Sequence, residues 1–377
     1  MCSRGSPSCP SSARRSRSCP GCCRCSARCS CAPTCPRSCS GCRNGFSEAI
    51  ARVLILADDL TGAADCAAAF LGRAARVAVA LDAGALPHAA VVAIDLDTRR
   101  RSERAARRIV REALAGRAAQ RCGILFKKID STLRGHVVAE LAAARAALGP
   151  RRPVIFAPAF PAQRRVVRNG RVYVQRKALG GEVCEALARS GIEILDAATD
   201  VELDAIARHG LAMRPRPLFV GSAGLAKALA RTLPRRRPAR TPIEPRPVVS
   251  AVGSASPVSA RQAQRLSRSK PARSAHVLLQ IESSRMPEAI DRTLARRLGR
   301  LVARLAPHAH YVLTGGETAR AVLGALRVSG LRLLGEIEPG VPFGITPDGA
   351  LVCTKAGAFG SPDTLTRCVA RLQREMR

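Results

Sequence analysis

Short strand-like runs alternate with helix-like stretches from residue 53 to the end of the chain. A mostly parallel sheet with helices on its faces accommodates that order. The first set of runs is 53–57, 77–81, 91–94, 123–129, 153–160, 192–195 and 218–220. The second set is 248–252, 276–281, 311–313 and 351–354. Between them, residues 235–247 are crowded with Pro and Arg, the composition of a linker. At 377 residues the chain has length enough for two cores. The expected fold is α/β, with two domains at 51–234 and 248–377, each a mostly parallel sheet flanked by helices.

Residues 1–50 break the pattern. Eleven of the sixteen Cys lie there, among Ser, Arg and Pro and almost no aliphatic side chains. Such a segment has nothing with which to build a core and reads as a disordered leader. Cys19-Pro-Gly-Cys22 and Cys39-Ser-Gly-Cys42 match a zinc-ribbon spacing. Where Cys is this dense, such pairs also arise by chance. Cys66, Cys122, Cys184, Cys353 and Cys368 are sparse, as suits a reducing cytoplasm. The formal charge of +34 raises the question of nucleic acid. The Arg residues, however, are spread over almost every helix-like stretch, and 3% aromatics offer no stacking platform for bases. Solvated Arg-rich faces are the simpler reading, so no nucleic-acid partner is expected. No apolar run approaches the ~18 residues of a membrane span, so no membrane partner is expected either.

The chemistry-bearing residues gather where strands end, which is where an open α/β sheet binds ligands. The run 53–57 stops at Asp58 and Asp59, then turns through Leu60, Thr61 and Gly62 into a helix expected over 63–75. Paired carboxylates there can bind hydroxyls, hold a metal or accept a proton; Asp59 or Thr61 can also simply cap the helix. The stretch 127–135, KKIDSTLRG, sets Asp130, Ser131 and Thr132 between Lys128 and Arg134. These polar residues can cap a helix at 137–148, and the flanking cations suit a carboxylate or phosphate. In the second half three small-residue turns follow strands: Gly253-Ser254-Ala255-Ser256, Thr314-Gly315-Gly316-Glu317-Thr318 and Lys355-Ala356-Gly357-Ala358-Phe359-Gly360. Glycines at such turns let backbone N–H groups approach phosphate oxygens. Lys355 is a candidate to meet a phosphate. The stretches 164–177 and 335–340 read as basic, poorly periodic chain and as polar turn.

ADDLTGAAD (57–65), KKIDSTLRG (127–135), PAFPAQ (158–163), GSAGLA (221–226), TGGETA (314–319), GEIEPGVPFG (335–344) and KAGAFGSPDTL (355–365) together resemble the four-carbon acid sugar kinases. That family phosphorylates threonate, erythronate or 3-oxo-tetronate with ATP. The resemblance implies a sugar-acid domain followed by a nucleotide domain. It implies sugar-acid contacts at Asp58, Asp59, Asp130, Ser131 and Arg134, with Arg134 on the substrate carboxylate and Asp59 or Asp130 as the base. It implies ATP contacts at Ser254 or Ser256, Gly315, Gly316, Glu317, Thr318 and Gly357. Mg²⁺ is expected with ATP, its ligands unassigned, and a homodimer is compatible with the fold class.

The chain also departs from the family's pattern. After PAFPAQ the family has a Gly and a longer region, whereas here Arg164 and Arg165 follow and the chain soon reaches residue 192. The first domain therefore reads as shortened after residue 163. The alternative function is a truncated, non-catalytic member that binds nucleotide.

Overall fold

The computed structural model describes residues 52–84, 86–236, 241–269, 276–281 and 292–376. The expected leader with its Cys pairs, the linker's centre at 237–240, and residues 270–275 and 282–291 lie outside the described residues. The first half runs β1 (Val53–Ala57), α1 (Leu60–Ala68), β2 (Val77–Ala80), β3 (Val91–Asp95), α2 (Glu103–Ala115), α3 (Arg117–Arg121), β4 (Ile124–Lys128) and α4 (Val137–Leu148). It continues with β5 (Val154–Ala157), β6 (Arg165–Arg168), β7 (Arg171–Val174), β8 (Lys177–Leu179), α5 (Gly181–Arg189), α6 (Asp200–Ala212), β9 (Leu218–Gly221) and α7 (Ala223–Arg231). The second half runs β10 (Val248–Val252), α8 (Pro257–Ser267), β11 (His276–Gln280), α9 (Arg292–Leu305), β12 (His310–Thr314) and α10 (Gly316–Ala325). It ends with β13 (Gly330–Glu338), β14 (Val341–Ile345), β15 (Leu351–Lys355) and α11 (Thr364–Glu375).

Two parallel blocks form, as the alternation predicts. In the first, β2, β3, β1, β4, β9 and β5 are neighbours in that order and all pair in parallel. In the second, β11, β10, β12 and β15 pair in parallel. The blocks are not separate sheets. Antiparallel β14 and β13 extend the second block, and β13 pairs with β2 through Leu331 and Val79, giving one sheet of 12 strands. The junction uses the stretch read as polar turn: 335–338 closes β13, and Gly340 at φ +80° carries the hairpin into β14. Residues 49–377 form one compact unit.

Helix α1 explains how both blocks reach one place. Its sequence, LTGAADCAA, is small and almost wholly apolar, and all but Thr61 of its residues are buried. A helix apolar all round belongs inside a protein. It packs against β1, β2 and β3 on the first block and against β13, β14, β15 and α10 from the second. Small side chains permit that close approach from two directions. The helix starts at Leu60 rather than 63, because Asp59 caps it by accepting from the Gly62 N–H at 3.0 Å, and it ends at Ala68.

Three further expectations are corrected. Residues 164–177 are not irregular chain; they form most of an antiparallel three-stranded sheet, β6-β7-β8. Its turns, Asn169-Gly170 and Gln175-Arg176, take positive φ at both positions, the conformation of tight hairpins. Residues 192–195 are not a strand: only Ile194 bridges to Phe156. Asp130, Ser131 and Thr132 do not cap α4, whose N-cap is His136; instead Asp130 turns back on the Thr132 N–H at 3.0 Å. Among the described residues no helix is long and apolar enough to cross a membrane.

Candidate active site

Three carboxylates at the ends of β1 and β4 converge on Arg99, which follows β3. Its Nε lies 2.7 Å from Asp58 Oδ2, and it reaches Asp59 at 2.9 Å and Asp130 at 3.6 Å. The parallel register β3-β1-β4 brings these strand ends side by side. Burial pushes the Asp58 carboxyl up, but Arg99, with Lys128 and Lys127, outweighs it and holds the group below its ordinary range. Burial opposes ionisation of Asp130 too, and there the two-point bond from Arg134, at 3.0 and 2.8 Å, keeps the carboxylate well below the usual range. Lys128 is buried, yet Asp58 holds its ammonium charged against that burial. Lys127 points to the other face of β4 and pairs with buried Glu140 of α4 at 2.7 Å.

The second block supplies the opposite wall. Ser256 caps α8 by accepting from the Val258 N–H at 3.3 Å, and Ser254 Oγ accepts from the Ser256 N–H at 3.2 Å. Gly315, at φ +99°, turns the chain from β12 into α10 with its N–H on the Lys355 carbonyl. Lys355 is not available to a phosphate. It is buried, and its Nζ donates to the carbonyls of Ala356, Gly357 and Phe359 at 2.9–3.0 Å, so it shapes the loop 355–360 from within. Burial lowers its pKa to about 8. Glu317 on α10 faces Arg292 at 3.3 Å and Arg100 at 3.9 Å.

The residues that the resemblance assigns to the two substrates all line one of two adjoining cavities, whereas Lys355 lines neither. The larger, about 620 Å³, is walled by Asp58, Asp59 and Arg134 on one side and by Ser254, Ser256, Gly315, Gly316, Glu317, Thr318 and Gly357 on the other. The smaller, about 70 Å³, lies between Asp59, Lys128, Asp130, Ser131 and Arg134, and is closed by Gly340 and Phe359 from the second block. Asp59, Thr61, Arg99, Arg134, Ala356 and Phe359 line both. The site therefore has a small pocket rich in charge and hydroxyls, opening on a larger one framed by small-residue turns.

Sequence reasoning missed several lining residues. Arg99 follows β3 in the run Asp95-Leu96-Asp97-Thr98-Arg99, where the strand end was a usable signal. Arg320 gave none: it lies one turn into α10 and crosses to buried Asp95, with Asp97 3.5 Å away. Asp65 ends the first motif, but its burial in the small pocket, with Oδ1 unpartnered among the described residues, is a tertiary fact. Arg165 comes from the small antiparallel sheet and donates to Ser131 Oγ.

Among the described residues no group of three or more His, Cys, Asp or Glu side chains is arranged to hold a metal ion. A nucleotide-borne Mg²⁺ fits such a site, since that ion keeps waters and takes phosphate oxygens with one or two carboxylates.

Comparison with known proteins gives two family matches, a sugar-binding N-terminal domain over residues 53–182 and a nucleotide-binding C-terminal domain over residues 270–365. A D-threonate kinase of Cupriavidus necator is 34% identical over 402 aligned positions, covering 83% of this chain and 96% of that protein. A D-threonate kinase of Bordetella bronchiseptica is 33% identical over 402 positions, covering 85% and 97%. Among solved structures, a Salmonella typhimurium protein superposes with a TM-score of 0.65 at 19% identity, covering 84% of this chain and 98% of that one. A Haemophilus influenzae protein gives 0.63 at 17% identity, covering 85% and 100%. These two speak for the fold.

Proposed function

The chain belongs to the four-carbon acid sugar kinase family, and on that premise we propose that it transfers the γ-phosphoryl group of ATP to the terminal hydroxyl of a four-carbon sugar acid. D-Threonate is the first substrate to test, because the relatives covered nearly end to end carry that activity in their names. The observation that carries the reading is the convergence just described. Motifs from both halves of the chain line one pocket sized for a small polyol acid and a larger one framed by glycine turns.

In this reading residues 51–234 hold the acid and residues 248–377 hold ATP. Lys128, Ser131 and Arg134 surround the acid's carboxylate, and Asp58, fixed by Arg99, accepts from its hydroxyls. Asp59 is the better base of the two candidates. It lines both cavities, whereas Asp130 is held as a carboxylate by Arg134 and is a poor proton acceptor. The turns 253–256, 314–318 and 355–360 receive the nucleotide, with Mg²⁺ screening its phosphates. The five cysteines among the described residues are unpaired, which supports a cytoplasmic setting.

The test is ADP release by the full chain with Mg²⁺-ATP and a panel of threonate, erythronate and 3-oxo-tetronate stereoisomers. Release that depends on one acid, with a phosphorylated product, is the expected result. A folded chain that binds ATP yet phosphorylates none of them would overturn the reading.

A further inference from the structure

Five arginines line the larger cavity: Arg99, Arg100, Arg134, Arg165 and Arg320. Four already face carboxylates. Arg99 is shared by Asp58, Asp59 and Asp130; Arg100 faces Glu317; Arg134 is bound to Asp130; Arg320 reaches Asp95 and Asp97. Arg165 differs. Among the described residues it has no carboxylate within ion-pair distance; its guanidinium donates to the Ser131 hydroxyl and stands 6.0 Å from the centre of the Phe359 ring. Its Nε is buried without a hydrogen-bond partner. Burial lowers the pKa of this side chain, as expected of a cation short of counter-charge.

Its position says which anion it awaits. Ser131 belongs to the acid pocket, and Phe359 to the glycine loop beside the nucleotide cavity. A group between them stands where the two substrates meet. We propose that Arg165 is a catalytic residue that binds the phosphoryl group during its transfer. The assignment rests on the kinase reading. The acid's terminal hydroxyl oxygen bonds to the γ-phosphorus as the bond from that phosphorus to the β,γ-bridging oxygen breaks. The bond's electron pair leaves on ADP, and the hydroxyl proton passes to Asp59. Charge accumulates on the equatorial oxygens of the moving group, where a guanidinium fork is most effective. The small sheet β6-β7-β8 carries Arg165, and Arg164 before it takes φ +54°, so the local backbone turns sharply to aim the side chain.

Steady-state kinetics of the full chain and its Arg165→Ala and Arg165→Lys variants test this, with ATP affinity measured directly by calorimetry. In Arg165→Ala, kcat should fall by about 10³-fold with KM for the acid and Kd for ATP within about threefold of the parent. Guanidinium ion below denaturing concentration should restore part of that kcat and leave the parent unaffected. If Arg165→Ala fails to fold, Arg165→Lys decides: kcat should drop on the order of tenfold or more, since a point charge replaces a fork. Parent-like kcat in either folded variant overturns the assignment. So does a raised acid KM at unchanged kcat, which would make Arg165 a substrate-carboxylate holder. No guanidinium rescue of a folded, ATP-binding Arg165→Ala also overturns it, leaving a structural role. Absence of turnover by the parent overturns the kinase reading itself and the Arg165 assignment with it.

Discussion

Arg99 clasps Asp58 at two points, Nε on Oδ2 at 2.7 Å and a terminal nitrogen on Oδ1 at 3.0 Å, while the same guanidinium touches Asp59. It is the one cation shared by three carboxylates that the parallel register brings together, with Lys128 and Arg134 supplying further positive charge. Arg99→Ala should therefore cut kcat/KM for the acid on the order of 10²-fold. The acid limb of the pH–rate profile should also move to higher pH. With the guanidinium gone, burial of Asp58 is opposed only by Lys128 and Lys127, so its carboxyl takes up a proton earlier. An unmoved acid limb in a folded variant would contradict this role.

Asp65 is buried in the small pocket, and burial lifts its pKa to about 6 from an ordinary 3.8. Between those values the folded chain keeps a proton that the unfolded chain has released. Its contribution to stability is therefore full below pH 3.8, is lost as pH rises through 6, and stays lost at neutral pH. Two pKa units correspond to about 3 kcal/mol at most. Asp65→Asn removes that dependence, so urea unfolding should find it more stable than the parent at pH 7.5, by about 1–2 kcal/mol. The gap should close toward pH 4. The same variant should raise KM for the acid, because an unpartnered carboxylate in a pocket is available to a substrate hydroxyl. Parallel stability curves for the two proteins would refute the titration argument.

What could be read beforehand follows a physical divide. Residues 53–57 are a continuous apolar run and 248–252 are apolar but for Ser250; both are buried on both faces, and the sequence marks their ends cleanly at β1 and β10. The helix 137–148 was equally legible as α4. Strands β6, β7 and β8 were not, because each is three or four residues long and mostly part-exposed. The Asn169-Gly170 pair, which favours a tight hairpin turn, is a signal that the reading of 164–177 as poorly periodic chain passed over. β13 was hidden because Gly335, Glu336 and Glu338 belong to a strand with register shifts, whose hydrogen bonds come from β2 and β14 rather than from its own pattern. In the site, motif residues at strand ends were visible. Arg165 and Arg320 were not, since each earns its place only by a contact with a distant segment, Ser131 or Asp95.

Lys127 and Glu140 form a buried pair at 2.7 Å that joins β4 to α4 away from both cavities. Each side chain is 2% exposed; the pair runs through Glu140 Oε2, and Oε1 has no hydrogen-bond partner among the described residues. Removing one member strands the other charge, so Glu140→Leu alone should destabilise the fold by about 3–5 kcal/mol. Lys127→Met with Glu140→Leu should recover most of that loss, because two apolar side chains of similar size fill the same space. Chemical denaturation of the two single variants and the double variant checks this; a double variant as unstable as the sum of the singles would show no coupling.

Gly357 leaves no room for a side chain: a Cβ there would collide with the Oγ and Cβ of Ser254, whose hydroxyl already accepts from the Ser256 N–H. The loop cannot easily yield. Its carbonyls at Ala356, Gly357 and Phe359 are held by the buried Lys355 ammonium, and Ser259 also donates to the Gly357 carbonyl at 2.7 Å. Gly357→Ala must then displace the turn that carries Ser254, on the side of the larger cavity proposed to receive the nucleotide. KM for ATP should rise by about tenfold or more, as for a contact worth about 1.4 kcal/mol, while KM for the acid stays near the parent value. Lys355→Met should loosen the same loop without a clash, so its effect on ATP should be accompanied by a lower midpoint of thermal unfolding. Equal losses for both substrates in Gly357→Ala would mean that loop 355–360 serves the whole cleft rather than the nucleotide.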